Sequence, residues 1–105
     1  AMLDLDGKRV LDRMAEKLRH YPNFRVLIKG HTGIGGDPQA NLALSAERAE
    51  AVARYLMITY AIDSQRIRAL GFGGSQPLPR LPGESDRAYG YRLPRVEIGL
   101  VGEGY

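Results

Sequence analysis

Phe24-Arg25-Val26-Leu27-Ile28-Lys29 runs into Gly30-His31-Thr32-Gly33-Ile34-Gly35-Gly36-Asp37-Pro38-Gln39-Ala40, and the chain then turns rich in alanine and leucine from Asn41 to Tyr60. The first six residues are largely β-branched, aliphatic or aromatic and stop at a glycine, which is the pattern of a strand. Residues 30 to 40 form a glycine-rich loop. A helix is expected to start between Asn41 and Ser45 and to end at about Tyr60, with Leu44, Val52, Leu56 and the smaller Ala49 and Ala53 on its buried side. The alanines let such a helix lie close to a sheet.

Outward from this strand–loop–helix unit, the remaining elements follow. From Asp6 to Arg19, Val10, Met14 and Leu18 recur every four residues beside Leu11, which places them on one face of a helix. Asp4 or Asp6 can cap its start, and Tyr21-Pro22 stops it. After Ile62-Asp63-Ser64, the segment Arg66-Ile67-Arg68-Ala69-Leu70 alternates polar and apolar like a half-buried strand, and Gly71-Phe72-Gly73-Gly74 ends it. Residues 75 to 94 hold four of the six prolines and read as an irregular excursion. Arg95 to Val101 reads as the last strand. The order helix, strand, helix, strand, loop, strand is that of an α/β sandwich with helices packed on a sheet.

The chain of 105 residues is the size of one domain with a single core, and 44% apolar residues suffice to fill it. There is no cysteine, so disulfides and thiolate metal sites are excluded. Net charge is +3, and twelve of the fifteen basic residues are arginine, which favours forked recognition of carboxylates or phosphates. The signs are mixed, as in Glu47-Arg48-Ala49-Glu50, where a nucleic-acid surface would show a one-sign stripe. No apolar run approaches the roughly 20 residues of a membrane span.

No catalytic or metal-binding set emerges from the motifs. His20 and His31 lack cysteines or paired carboxylates at ligand spacing, so no metal is expected, and His31 is assigned a local hydrogen bond. Gly33-Ile34-Gly35-Gly36 lacks the Lys-Ser/Thr of a phosphate loop, and Pro38 stands where a dinucleotide fingerprint needs glycine. Ser45 has no histidine base and reads as a helix cap. Tyr55 and Tyr60 read as helix packing, while Tyr89 and Tyr91 have no assigned role. No cofactor is expected.

Several blocks resemble one family. Gly30-His31-Thr32, Asn41, Leu44-Ser45 and Arg48-Ala49 resemble the signature of the OmpA-like, peptidoglycan-associating C-terminal domains, in which Gly-His-Thr-Asp is followed by Asn, Leu-Ser and Arg-Ala at this spacing. Ile62 to Arg66, Gly71-Phe72-Gly73, Gln76-Pro77 and Arg95-Val96-Glu97-Ile98 resemble its later segments. The likeness extends from about Leu3 to Leu100 and implies one OmpA-like domain over residues 1–105, excised from a larger envelope protein, with helices on one face of a mixed parallel/antiparallel sheet. The family's opening strand is expected to be truncated or absent here; Asp4-Leu5-Asp6-Gly7 resembles the turn that follows it, which would leave an exposed sheet edge open to another chain.

The resemblance also implies a ligand, the diaminopimelate of the peptidoglycan stem peptide, and a periplasmic location. On that basis Arg48 is the carboxylate partner, with Thr32, Asn41 and Leu44 shaping the pocket. A cation in a helix's opening turns opposes the macrodipole and is better accommodated when an anion shares the site. The alternative is that Arg48 pairs with Glu47, Glu50 or Asp37. The family aspartate that meets the ammonium is here Gly33, which weakens binding; Asp37 is the substitute anchor, or else simply starts the helix. Where the family has Asn-Arg-Arg, this chain has Leu93-Pro94-Arg95, so the resemblance leaves Arg95 as a peptidoglycan-binding residue and Arg92 as a substitute from a shifted position. The rival function is a domain that has lost wall binding and serves protein–protein interaction or self-association. A wall hydrolase ranks last, since no nucleophile–base or paired-acid arrangement is visible.

Overall fold

The computed structural model describes residues 5–102, with side chains from Gly7 onward. Helix α1 (Leu5–His20) leads through a turn to strand β1 (Arg25–His31), and helix α2 (Pro38–Tyr60) follows the glycine-rich loop. A 3-10 turn (Ser64–Arg66) precedes strand β2 (Ile67–Gly71), and a short helix α3 (Asp86–Arg92) precedes strand β3 (Arg95–Val101). The sheet order is β2-β1-β3. β1 runs parallel to β2, with Ile28 opposite Ala69, and antiparallel to β3, with Ile28 opposite Ile98. This is the expected two-layer sandwich on a mixed sheet.

Alternation along β1 explains the layering. Val26 and Ile28 point into the core, where they meet Leu11, Ala15 and Leu18 of α1 and Ala49, Val52, Ala53 and Leu56 of α2. Val96, Ile98 and Leu100 of β3 pack on the same cluster but remain half-buried. Among the described residues β3 pairs only with β1, so it is a sheet edge.

α2 lies almost directly on the sheet. Gly30 and Gly71 are partners across the parallel pair. A Cβ on Gly30 would run into the Ser45 carbonyl, and one on Gly71 into the Ala46 backbone nitrogen and the Ser45 Oγ. The two glycines form a floor on which the helix backbone rests.

Several expectations are corrected. The buried stripe of α1 is Leu11, Ala15 and Leu18, whereas Val10 is 51% exposed and Met14 half-buried. Both stripes are apolar, and packing on β1 and α2 selects the one containing the small Ala15. α2 begins at Pro38, earlier than Asn41, because Asp37 caps it: its Oδ2 accepts the Ala40 N–H at 3.1 Å, and proline fits the first helical position. Ser45 therefore lies two turns inside the helix and is not its cap. Leu44 is 39% exposed, and Ser45 takes the buried position. Leu5 to Gly7 are helical and form no turn; Asp4 and the Asp6 side chain lie outside the described residues. Finally, the 75–94 excursion contains α3, capped by Ser85.

The excursion is tied down by the Arg92–Glu84 ion pair, a more exposed Arg80–Asp86 pair and the Tyr89 ring. Arg92 grips Glu84 with two bonds, Nε to Oε2 at 2.6 Å and Nη2 to Oε1 at 2.8 Å, and also donates to the Pro79 carbonyl. The guanidinium holds the Glu84 carboxyl down from its ordinary 4.5 to about 2, against the opposing effect of burial. Tyr89 donates to the Leu78 carbonyl and lies under Arg80, at 4.3 Å from its ring centre. No described helix is long and apolar enough to cross a membrane.

Candidate functional site: a groove at the start of the second helix

Parallel strands β1 and β2 end side by side, so the loops that leave them meet above the sheet, where α2 begins. Open sheets place crevices at this carboxyl end. The two loops are sewn together: Phe72 N–H donates to the Gly30 carbonyl at 3.0 Å, and Thr32 N–H donates to the Gly73 carbonyl at 2.9 Å. Ser45 then locks both to the helix. Its Oγ accepts the Gly73 N–H at 2.9 Å and donates to the Leu42 carbonyl at 3.0 Å.

Between these parts lies a groove of about 290 Å³, lined by Ile34, Pro38, Asn41, Leu42, Phe72 and the Gly73–Ser75 backbone. Its walls are mainly apolar, and Ile34 and Leu42 present large exposed surfaces. Asn41 Nδ2 donates to the Gly35 carbonyl at 3.0 Å, fixing the glycine loop against the helix. Thr32 is buried, and its hydroxyl donates to the Gly33 carbonyl at 2.9 Å.

Arg48 is half-buried on the Asn41 flank of α2, seven residues further on and so about 10 Å along the axis. Among the described residues its guanidinium makes no ion pair or hydrogen bond, and the pairing with Glu47, Glu50 or Asp37 is not formed. Arg48 does not stand at the helix mouth as expected: α2 starts ten residues before it, and the macrodipole acts only within the first turn. Gly33 faces open space: nothing lies within 4 Å of a Cβ built there. Asp37 has one carboxylate oxygen engaged in the cap and remains exposed.

The arginines near the last strand are used internally. Arg92 is held by Glu84 and does not stand in for a pocket arginine. Arg95 Nε donates to Glu97 Oε2 at 2.8 Å, and its Nη atoms donate to the Leu93 and Gln76 carbonyls. Glu97 in turn meets Nε2 of the buried His31 at 3.1 Å. Its carboxyl is held below the usual range first by the Arg95 hydrogen bond and secondarily by His31, against burial. The His31 ring stacks on Phe72 at 5.6 Å. His31 thus has the local partner expected of it, and the network braces Phe72 and the Gln76 backbone behind the groove.

Sequence reasoning missed the roles of four of these residues. Ser45 as a cross-link and Phe72 as a wall needed the loop to fold back over the helix. The apolar Ile34 and Leu42 carried no chemical signal to mark them. Among the described residues no group of three or more His, Asp or Glu side chains could hold a metal.

Comparison with known proteins places this geometry. The OmpA family model matches residues 1–89. The chain is 37% identical over 73 residues to a peptidoglycan-associated lipoprotein of Rhizobium meliloti, covering 70% of this chain and 41% of that protein. It is 36% identical over 89 residues to the peptidoglycan-binding protein ArfA of Mycobacterium tuberculosis, covering 85% of this chain and 26% of that one. The crystal structure of the peptidoglycan-associated lipoprotein from Burkholderia pseudomallei superposes with a TM-score of 0.78 at 25% identity, over 94% of this chain and 80% of that chain. The chain spans less than half the length of these two sequence relatives.

Proposed function

The chain belongs to the OmpA family, and from that premise we propose that it is a non-covalent peptidoglycan-binding module anchoring a larger cell-envelope protein to the wall in the periplasm. The role is binding and not catalysis, as the names of the relatives suggest. Arg48 takes a carboxylate of the stem-peptide diaminopimelate, while Thr32, Asn41 and Leu44 shape the approach. Arg95 acts behind the groove, bracing its loop. Gly33 leaves the ligand's ammonium without a charged partner on the loop, and a charged hydrogen bond is worth roughly 1.5–3 kcal/mol. Binding is accordingly weaker than with an aspartate there.

The observation that carries this reading is the guanidinium of the half-buried Arg48, unpaired among the described residues, on the flank of the helix that bounds the groove. A guanidinium can hold a carboxylate with two parallel bonds. The test is co-sedimentation with purified peptidoglycan. The natural chain pellets with the wall, and Arg48→Ala stays in solution. A natural chain that remains in the supernatant would sink the proposal.

One observation favours a second reading, a protein-interaction or self-association module. Among the described residues β3 is an edge strand whose core-facing side chains are only half-buried, and such edges pair with other chains. Concentration-dependent dimerisation without wall binding would select it.

A further inference from the structure

We propose that the groove prefers a stem peptide whose side-chain amine is acylated, as it is in a wall cross-link, over one whose amine is a free ammonium. This rests on the wall-binding reading and adds a selectivity to it.

From Thr32 to Ala46, and again from Gly71 to Pro79, Asp37 is the only charged side chain. Its Oδ2 is engaged by the Ala40 N–H, so this carboxylate is turned toward the helix start. The groove walls are mainly Ile34, Pro38, Leu42 and Phe72, and the polar part of the lining, Asn41 and Ser75, carries no negative charge to oppose an ammonium. Taking a charge from water without a partner is unfavourable. Arg48, about 10 Å further along the same flank of α2, adds a like charge on the side from which the ligand is held. An acylated amine is neutral, and its added carbon atoms suit apolar walls.

Space points the same way. Nothing lies within 4 Å of where a side chain on Gly33 would begin. The loop therefore offers neither charge nor bulk there, and an acyl group fits where a side chain would otherwise stand. The site as built takes a mono-anion with a neutral, partly apolar neighbour.

The experiment titrates two soluble probes by calorimetry. One is N-acetyl-L-Ala-γ-D-Glu-meso-diaminopimelate with its free amine, and the other is the same peptide with that amine acetylated. The natural chain is expected to bind the acetylated probe about ten-fold more tightly, a difference of about 1.4 kcal/mol. Gly33→Asp is expected to reverse the order, and Arg48→Ala to weaken both probes. Equal binding, or tighter binding of the free amine, overturns the preference while wall binding stands. If Asp37→Asn then removes a preference for the free amine, Asp37 is the anchor and the proposal is wrong. Binding of neither probe by the natural chain, with no retention on intact wall, overturns this proposal and the wall-binding reading together.

Discussion

Ser45 Oγ, buried two turns into α2, accepts the N–H of Gly73 at 2.9 Å. This single bond joins the helix that bounds the groove to the loop that forms its opposite wall. The hydroxyl also donates to the Leu42 carbonyl, so both of its functions are satisfied inside the protein. The Gly73 amide has no water to turn to if the hydroxyl is removed.

Ser45→Ala should therefore destabilise the domain by about 1–3 kcal/mol, the cost of leaving a buried donor unpaired. Denaturant unfolding of the two chains measures it. A change of a few tenths of a kcal/mol would mean that the loop detaches from the helix at little cost.

Gly71→Ala should cost about 3 kcal/mol or more, because the new methyl meets helix backbone and not a movable side chain. Gly30→Ala acts against the same helix turn, so the pair should be non-additive in a double-mutant cycle. Independent effects would argue against a shared floor.

Gly33→Asp should leave stability nearly unchanged, since the added side chain enters open space. Retention on wall whose stem peptides carry free side-chain amines should rise on the order of ten- to a hundred-fold, the value of a charged hydrogen bond. A melting curve beside the sedimentation assay separates the two effects.

The Glu84–Arg92 pair predicts an acid-sensitive excursion. The folded pKa of Glu84 is depressed to about 2 from 4.5. Its stabilisation is therefore complete above about pH 4.5 and disappears as pH falls toward about 2. The difference in melting temperature between the natural chain and Glu84→Gln should be largest near neutral pH and close at about pH 2. A difference that does not change with pH would show that the pair contributes through packing alone.

Ala61 ends α2 in the left-handed conformation at φ 55°, which favours glycine. Ala61→Gly should stabilise the domain by about 0.5–1 kcal/mol, the left-handed strain relieved less the added chain entropy. Calorimetric melting should rise by a few degrees.

The sequence by itself determined what depends on a few adjacent residues: the strand of Val26 and Ile28, the two long helices, the glycine loop, the final strand, and an ordered set of blocks sufficient to identify the family. Such signals are local, because turns and side-chain periods are set within one or two turns of chain. Even the start of α2 is written locally in Asp37-Pro38, a capping residue followed by a proline at the first helical position. Only the tertiary structure decided the rest. Whether Val10 or Ala15 faces inward, whether Arg95 and Arg92 are held internally while Arg48 stays unpaired, and why Gly30 and Gly71 must lack side chains all depend on groups tens of residues away. A sequence names the donors and acceptors, but burial and distance, set by the packed fold, determine which of them remain available to a ligand.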